Sequence, residues 1–346
     1  MNKKKTMVYC IMFIVMTFFI YITLFKGQDF NKIFKVITLA NPIILIFAFL
    51  LIILFILCEA FNINILLNSM NYKKSLINSI KYAIAGFFYS SITPSSTGGQ
   101  PMQLYKMKRD GINLYHSTLI LLVELACFQT ITLIFGFISL IWIKATSMQI
   151  PDFIRFLAGI GFSINALILI GIWISIFSKE FLLKIYHIIH FLINKAFFIS
   201  DTQRKKLCYC AKSNLDKYNE CASFFKTQPF LILKCLFITT IQVGAMFSIP
   251  YMVYLALNKS PTSYTNMFMM QSIVYSASSF IPLPGASGVS ENNYIHLFSK
   301  IYPIEVLNSG VIITRCVNFY FPLILSFGIL LCIQIVYKYN YKFKKT

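Results

Sequence analysis

Long apolar runs separated by short polar stretches dominate the chain. Six of them, at residues 7–25, 40–61, 117–143, 153–177, 230–257 and 309–337, hold only isolated polar residues. A helix rises ~1.5 Å per residue, so about 20 residues cross ~30 Å of hydrocarbon, and each run predicts one transmembrane helix. Lys3, Lys4 and Lys5 precede the first run, as they would in a signal peptide. Its apolar stretch is long and no small-x-small cleavage site follows, so it is read as a span and anchor.

Two further apolar pieces are short for a crossing. Residues 78–92 include Lys81 and run into SSITPSSTGGQP, whereas residues 266–280 run into IPLPGASG and then into the short stretch 289–298. Each is expected to enter the bilayer, break and return, because non-helical backbone at that depth survives only inside protein or beside a wet cavity. The first is expected to enter from the cytoplasmic face and the second from the outer face; for the second, two full crossings would leave the side of every later loop unchanged.

The two breaks resemble each other. Ser90, Ser91, Pro94, Gly98 and Gly99 can be laid beside Ser278, Ser279, Pro282, Gly285 and Gly288. An ionisable residue follows each break roughly thirty residues later, Glu124 and Arg315, and opposite entry with this spacing suggests an inverted repeat whose broken helices meet near the midplane at a transport site. The expected fold class is an all-α polytopic membrane protein with six full transmembrane helices and two re-entrant or broken hairpins.

Composition agrees with the pattern. Of 346 residues, 58% are hydrophobic and 12% charged, too few polar groups to cover a water-soluble globule of this size. The net charge of +20 lies at the ends of apolar runs and not on one interleaved surface, so no nucleic acid is expected to bind directly. With both termini cytoplasmic, Lys73, Lys74, Lys106, Lys108, Arg109, residues 179–226 and the tail fall inside. Lys26, Lys32, Lys35, Lys144, Arg155, Lys259 and Lys300 then fall outside, the asymmetry of the positive-inside rule. The chain reads as one transmembrane domain over residues 1–346: a first half 1–177, a cytoplasmic amphipathic loop 178–228, a second half 229–337 and a basic tail 338–346. The loop predicts two helices, at least one resting on anionic inner-leaflet lipid.

Nine cysteines lie mostly within apolar runs and none forms a CxxC pair. His187 and His190 are three residues apart, but nothing has the spacing of a zinc site, so reduced thiols are expected and neither metal nor cofactor is. No nucleophile with a base and no nucleotide-binding glycine loop is found, so no catalytic residue is named.

Residues 90–112 form the densest signal. Gly98 and Gly99 let backbone N–H groups approach a ligand, Ser95, Ser96 and Thr97 can cap a following helix, and Pro101 suits its first turn. A helix N-terminus so built attracts phosphate, and Lys106, Lys108 and Arg109 lie just beyond. Glu124 and Arg315 stand inside long apolar runs, where an ionised side chain costs at least ~2.5–3.5 kcal/mol, and they are read either as an ion pair joining the halves or as contacts for a charged headgroup. Glu59 and Glu291 lie near helix ends, where dipole compensation could suffice; Glu291 is the stronger candidate because it adjoins the second break. Tyr320 and Pro322 read as packing and a kink.

At its two breaks the sequence resembles the lysylphosphatidylglycerol synthase transmembrane-domain, or flippase-like, family, to which the membrane part of the multiple peptide resistance factor belongs. The likeness covers nearly the whole chain. Pro-Ser-x-x-Gly-Gly-x-Pro with a basic stretch stands at 94–109, Pro-x-Pro-Gly-Gly-x-Gly-x-x-Glu at 282–291, and an Arg followed by an aromatic and Pro at Arg315, Tyr320 and Pro322. Gln103 stands where many members have Arg, and Ala286 replaces the second glycine of the outer pattern. The candidate substrate-binding residues are therefore Pro94, Ser95, Ser96, Gly98, Gly99, Gln100, Pro101 and Gln103 at the first break. At the second they are Pro282, Pro284, Gly285, Gly288 and Glu291, and in the spans Glu124, Arg315 and Tyr320.

The resemblance implies a phospholipid translocase or lipid-binding protein of the bacterial cell membrane, moving lysylphosphatidylglycerol or a related lipid between leaflets. The alternative is a phosphatidylglycerol lysyltransferase or its lipid-presenting subunit; a small-solute transporter is the third reading. Members that transfer lysine from its tRNA carry a large soluble C-terminal domain, whereas this sequence ends at KYNYKFKKT, so the flippase half is expected and a separate aminoacyl-transferase is a candidate partner. Membrane phospholipid is the expected ligand, and association into a homo-oligomer stays open.

Overall fold

The computed structural model describes residues 38–178, 201–257 and 262–343, together with scattered positions between 35 and 195. Among them every regular element is helical. The order is α1 (Pro42–Ser69), α2 (Leu76–Ile92), α3 (Gly99–Arg109), α4 (Leu114–Ala145), α5 (Asp152–Phe177), α6 (Asp201–Lys226), α7 (Pro229–Leu257), α8 (Tyr264–Ser278), α9 (Val289–Phe298), α10 (Ile304–Arg315) and α11 (Phe321–Phe343). Five segments are long and apolar enough to cross a membrane: α1, α4, α5, α7 and the joined α10–α11. They match five of the six expected runs. The remaining one, residues 7–25, lies outside the described residues, as does much of the amphipathic stretch ahead of α6.

Local chemistry fixes several boundaries. Asn41 caps α1 by accepting the N–H of Ile43 at 3.0 Å, with Pro42 at the first helical position, where a missing N–H costs nothing. The helix runs to Ser69, well past the apolar stretch read as 40–61, and stops where Asn71 turns left-handed at φ 62°. A π-helical turn, Cys316–Tyr320, joins α10 to α11 just before Pro322, whose missing N–H and ring interrupt the regular ladder.

Residues on α1, α4, α5, α7 and α11 such as Phe47, Phe137, Leu167, Phe237 and Ile335 are exposed, each more than half so. That outer coat suits hydrocarbon and explains why periodicity is weak in these helices: apolar residues occupy both faces. Polar residues instead turn inward, with Asn62, Ser117, Ser139, Thr239, Gln242 and Ser272 all buried.

Two helix pairs organise the interior. α1 and α7 form the most extensive contact and run antiparallel, since the Asn41 N–H donates to the Ala256 carbonyl at one end and Asn62 Nδ2 donates to Thr239 Oγ1 at 2.9 Å farther along. α5 lies on α8, so closely that a Cβ on Gly161 would meet the Ser276 backbone, and Asn165 Nδ2 donates to Ser279 Oγ at 2.9 Å. α6 docks through Tyr218, Ala222 and Phe225 on the start of α4 and the end of α5.

Candidate functional site at the meeting of two broken hairpins

Each broken segment returns to the end from which it came. In the first, Asp110 after α3 accepts at its carbonyl from Lys74 Nζ and at Oδ2 from Tyr82 OH, both at 2.7 Å, tying the foot of α3 to the foot of α2. That foot adjoins the start of α4, where Tyr72 OH meets His116 Nδ1 at 2.8 Å. The second hairpin stands at the other end of α4. Trp142 Nε1 donates to Asn266 Oδ1 at the start of α8, and Lys300, beyond α9, reaches the Gln149 carbonyl. The returning arms are 11 and 10 residues long, roughly 16 Å at helical rise, half the thickness of a bilayer core.

Opposite entry brings the two tips together. The short 3-10 turns Pro94–Ser96 and Pro284–Ala286 pack on each other, and the second also packs on α2. Pro94, Ser95, Ser96, Thr97 and Pro282 are exposed although they occupy the hairpin tips. The turns need left-handed backbone: Gly285 and Gly288 supply it at φ 59° and 88°, but Ser95, Ser96 and Ala286 adopt it at 50–55° despite their side chains. The departure Ala286 is thus a strained position and not a neutral replacement. At Gly285 a Cβ would also strike the Phe319 ring.

The helix that follows each tip starts differently from expectation. Ser95, Ser96 and Thr97 do not cap α3; Gly98 holds the N-cap place without a side-chain cap, and Thr93 Oγ1 accepts the Gly98 N–H at 2.8 Å. Pro101 does lie in the first turn. In α9, Glu291 Oε2 accepts the Gly288 N–H at 2.6 Å, half of a reciprocal capping arrangement.

Glu291 is also the partner of Arg315. Arg315 Nε donates to Glu291 Oε1 at 2.6 Å, Nη2 donates to the Gly285 carbonyl at 2.8 Å, and the guanidinium lies 5.1 Å from the Phe319 ring centre. Both side chains are buried, so the arginine ties the span to the broken tip. A cavity of about 10 Å³, room for one water, adjoins the pair and is lined by Gln271, Ser290, Thr314 and Asn318. The expected pairing of Glu124 with Arg315 is not formed. The second break supplies its own carboxylate for the arginine, three residues into α9.

Glu124 instead lies on α4 where α4 packs against α1, which places it within electrostatic reach of Glu59. Gln103 Nε2 donates to Glu59 Oε1 at 2.7 Å, crossing α2 over Gly86, where a Cβ would collide with the amide. Gln103 is 3% exposed and faces Glu59 across the interior. The two halves therefore differ in charge: arginine neutralises the carboxylate at the second tip, whereas two carboxylates lie within electrostatic reach of each other beside the first hairpin.

The structure gathers Pro94, Ser95, Ser96, Gly98, Gly99, Pro282, Pro284, Gly285, Gly288, Glu291 and Arg315 around the meeting tips. Gln100 and Pro101 follow in the first turn of α3, and Tyr320 ends the π turn. Gln103 and Glu124 lie in the acidic group. Sequence reasoning underrated Glu59 and passed over Asn62, Gln242, Gln271 and Asn318. Each was marked by a polar residue interrupting an apolar run, as in ILCEAFN and TTIQVG.

The family model described as lysylphosphatidylglycerol synthase TM region matches residues 9–326. A UPF0104 membrane protein of Archaeoglobus fulgidus is 26% identical over 312 residues, covering 86% of this chain and 88% of the relative. Matched along nearly its whole length, and carrying helices fit to cross a membrane, the chain belongs to the lysylphosphatidylglycerol synthase transmembrane-region family of multi-pass membrane proteins.

Proposed function

We propose that the protein is a phospholipid translocase of the bacterial cell membrane, moving aminoacylated phosphatidylglycerol or a related lipid between leaflets. One observation carries this reading: polar, exposed backbone from two hairpins meets where each has penetrated about half a bilayer. Such backbone is stable at that depth only beside water or a polar guest. The uncapped start of α3 offers N–H groups to a headgroup phosphate, and the Glu59–Glu124 side offers negative charge to an ammonium group. Lys73, Lys74, Lys106, Lys108 and Arg109 share the end that holds the first hairpin's foot, whereas Lys144, Arg155 and Lys300 share the other. By charge asymmetry the first end is cytoplasmic.

The test is leaflet-resolved. The purified chain is reconstituted in liposomes with labelled lysylphosphatidylglycerol on one face, and the label is followed on the other. Movement faster than in protein-free vesicles, and lost in Arg315→Ala, is the expected result; movement no faster than protein-free vesicles with this or any other phospholipid would refute the reading.

A further inference from the structure

Among the described residues one hydrogen-bond donor, the Gln103 amide, is seen on the acidic group beside the first hairpin. Ionised carboxylates only accept, so Glu59 and Glu124 bring four acceptor oxygens, of which the Gln103 amide is seen to satisfy one. Two more acceptors lie alongside. Asn62, one turn beyond Glu59 on α1, is fully buried and its Oδ1 has no partner; Gln242 is 1% exposed and its Oε1 has none either. The Asn62–Thr239 bond sets the antiparallel register of α1 and α7, which puts Gln242, one turn beyond Thr239, at the level of Glu59.

The orientation of the Asn62 amide is fixed by its neighbours. Thr239 directs its hydroxyl hydrogen to the Cys235 carbonyl at 2.8 Å, so it can only accept from Asn62, and the Asn62 oxygen is left without a donor. The unpaired Asn62 and Gln242 oxygens are buried, and unpaired buried polar atoms are the costly case. One proton on the carboxylate pair turns an acceptor into an O–H donor and removes one of two facing negative charges at the same time.

Among the described residues the positive charge nearest this group is Lys234 on α7, which acts on Cys235 and is not seen to act on either carboxylate. The titratable groups that act on this pair are the thiols of Cys127 on α4 and Cys235 on α7; α2 contributes Gly86 and α3 contributes Gln103, both neutral. Among the described residues the charge that acts on Glu124 is Glu59. Glu59 keeps part of its surface open while Glu124 is 8% exposed, so the pair has an outer and an inner member, as a site that loads and unloads needs.

We infer that Glu59 and Glu124 form a proton site, holding one proton between them in the lipid-free protein at neutral pH, with the Asn62 and Gln242 amide oxygens as acceptors for it. The inference does not depend on lipid movement. If the translocase reading holds, the site gives it an ion to exchange against a headgroup ammonium that reaches the same carboxylates.

Infrared difference spectroscopy of the purified, lipid-free chain tests it. The wild type is expected to show one protonated-carboxyl C=O band at neutral pH that shifts in D2O and is lost on raising pH. Glu59→Gln and Glu124→Gln should each lose the neutral-pH band, because the remaining carboxylate gains an amide donor and no longer faces a second charge. Thermal unfolding of both variants checks that they fold. No band above that of the Glu59→Gln/Glu124→Gln double variant, or an unchanged band in both single variants, would overturn the proposal. So would a shift of the unfolding midpoint by sodium over choline chloride that both single variants abolish, since the site would then hold a metal cation. Failure of the liposome assay leaves the infrared result standing, so the two readings fail separately.

Discussion

At the scale of single residues, the buried ion pair is the sharpest commitment. Arg315 ties the last span to the second tip through Glu291 and the Gly285 carbonyl, and removing one partner of a buried pair leaves the other charged and alone. Glu291→Ala is expected to destabilise by about 3–5 kcal/mol, whereas Glu291→Leu with Arg315→Met recovers most of that loss without recovering transport. Thermal unfolding and the leaflet assay on the same preparations check both halves. Strain at the same tip gives a prediction of opposite sign. Ala286 sits at φ 50°, where an L residue costs about 1–2 kcal/mol, partly offset by the greater chain entropy of glycine. Ala286→Gly should therefore stabilise by about 0.5–1 kcal/mol, read as a higher unfolding midpoint. Gly86 does the reverse service for the acidic group, since its bare Cα lets Gln103 pass to Glu59. Gly86→Ala is expected to displace that amide, shifting the carboxyl infrared band while the helices remain.

At the scale of elements, the fold depends on helices that approach closely through small or polar residues, because apolar faces gain little from each other in lipid. The α1–α7 seam is the main case. Asn62→Cys with Thr239→Cys should cross-link with a short thiol reagent, and Asn41→Cys with Thr239→Cys should not, because the antiparallel register separates them by more than twenty residues of α1. Cross-linking of the second pair alone would contradict the seam. The α5–α8 contact is equally close, and Gly161→Leu has no space against Ser276, so it should lower the unfolding midpoint more than the same change at Gly159, which faces open space.

At the scale of the molecule, α1 to α4 and α7 to α11 present the same sequence of long helix, broken hairpin and long helix. They enter from opposite ends, and α1 and α7, the first helix of each set, lie against each other antiparallel, as the suggested inverted repeat requires. The charges are not two-fold: Glu124 stands eleven residues into α4 and Arg315 twelve into α10, equivalent places with opposite sign. The proposed orientation places the basic end in the cytoplasm. In right-side-out vesicles Lys300→Cys should react with a membrane-impermeant thiol reagent and Lys108→Cys should react only after permeabilisation, with native cysteines replaced in both; the reverse pattern would invert the topology.

The sequence by itself determined the helical class, five described spans and the position of both breaks, because a bilayer demands long apolar runs and punishes any interruption, so each interruption is legible. It also marked Arg315, Glu124 and Glu291 as individuals. Which charges meet was decided only by the tertiary structure. Arg315 faces Glu291 and not Glu124 because the second tip folds back onto the last span; Gln103 reaches Glu59 because Gly86 leaves a gap in the helix between them. Pairing across 24 and 44 positions of chain is set by how helices cross, and apolar runs with residues alike on every face carry little record of which face turns inward.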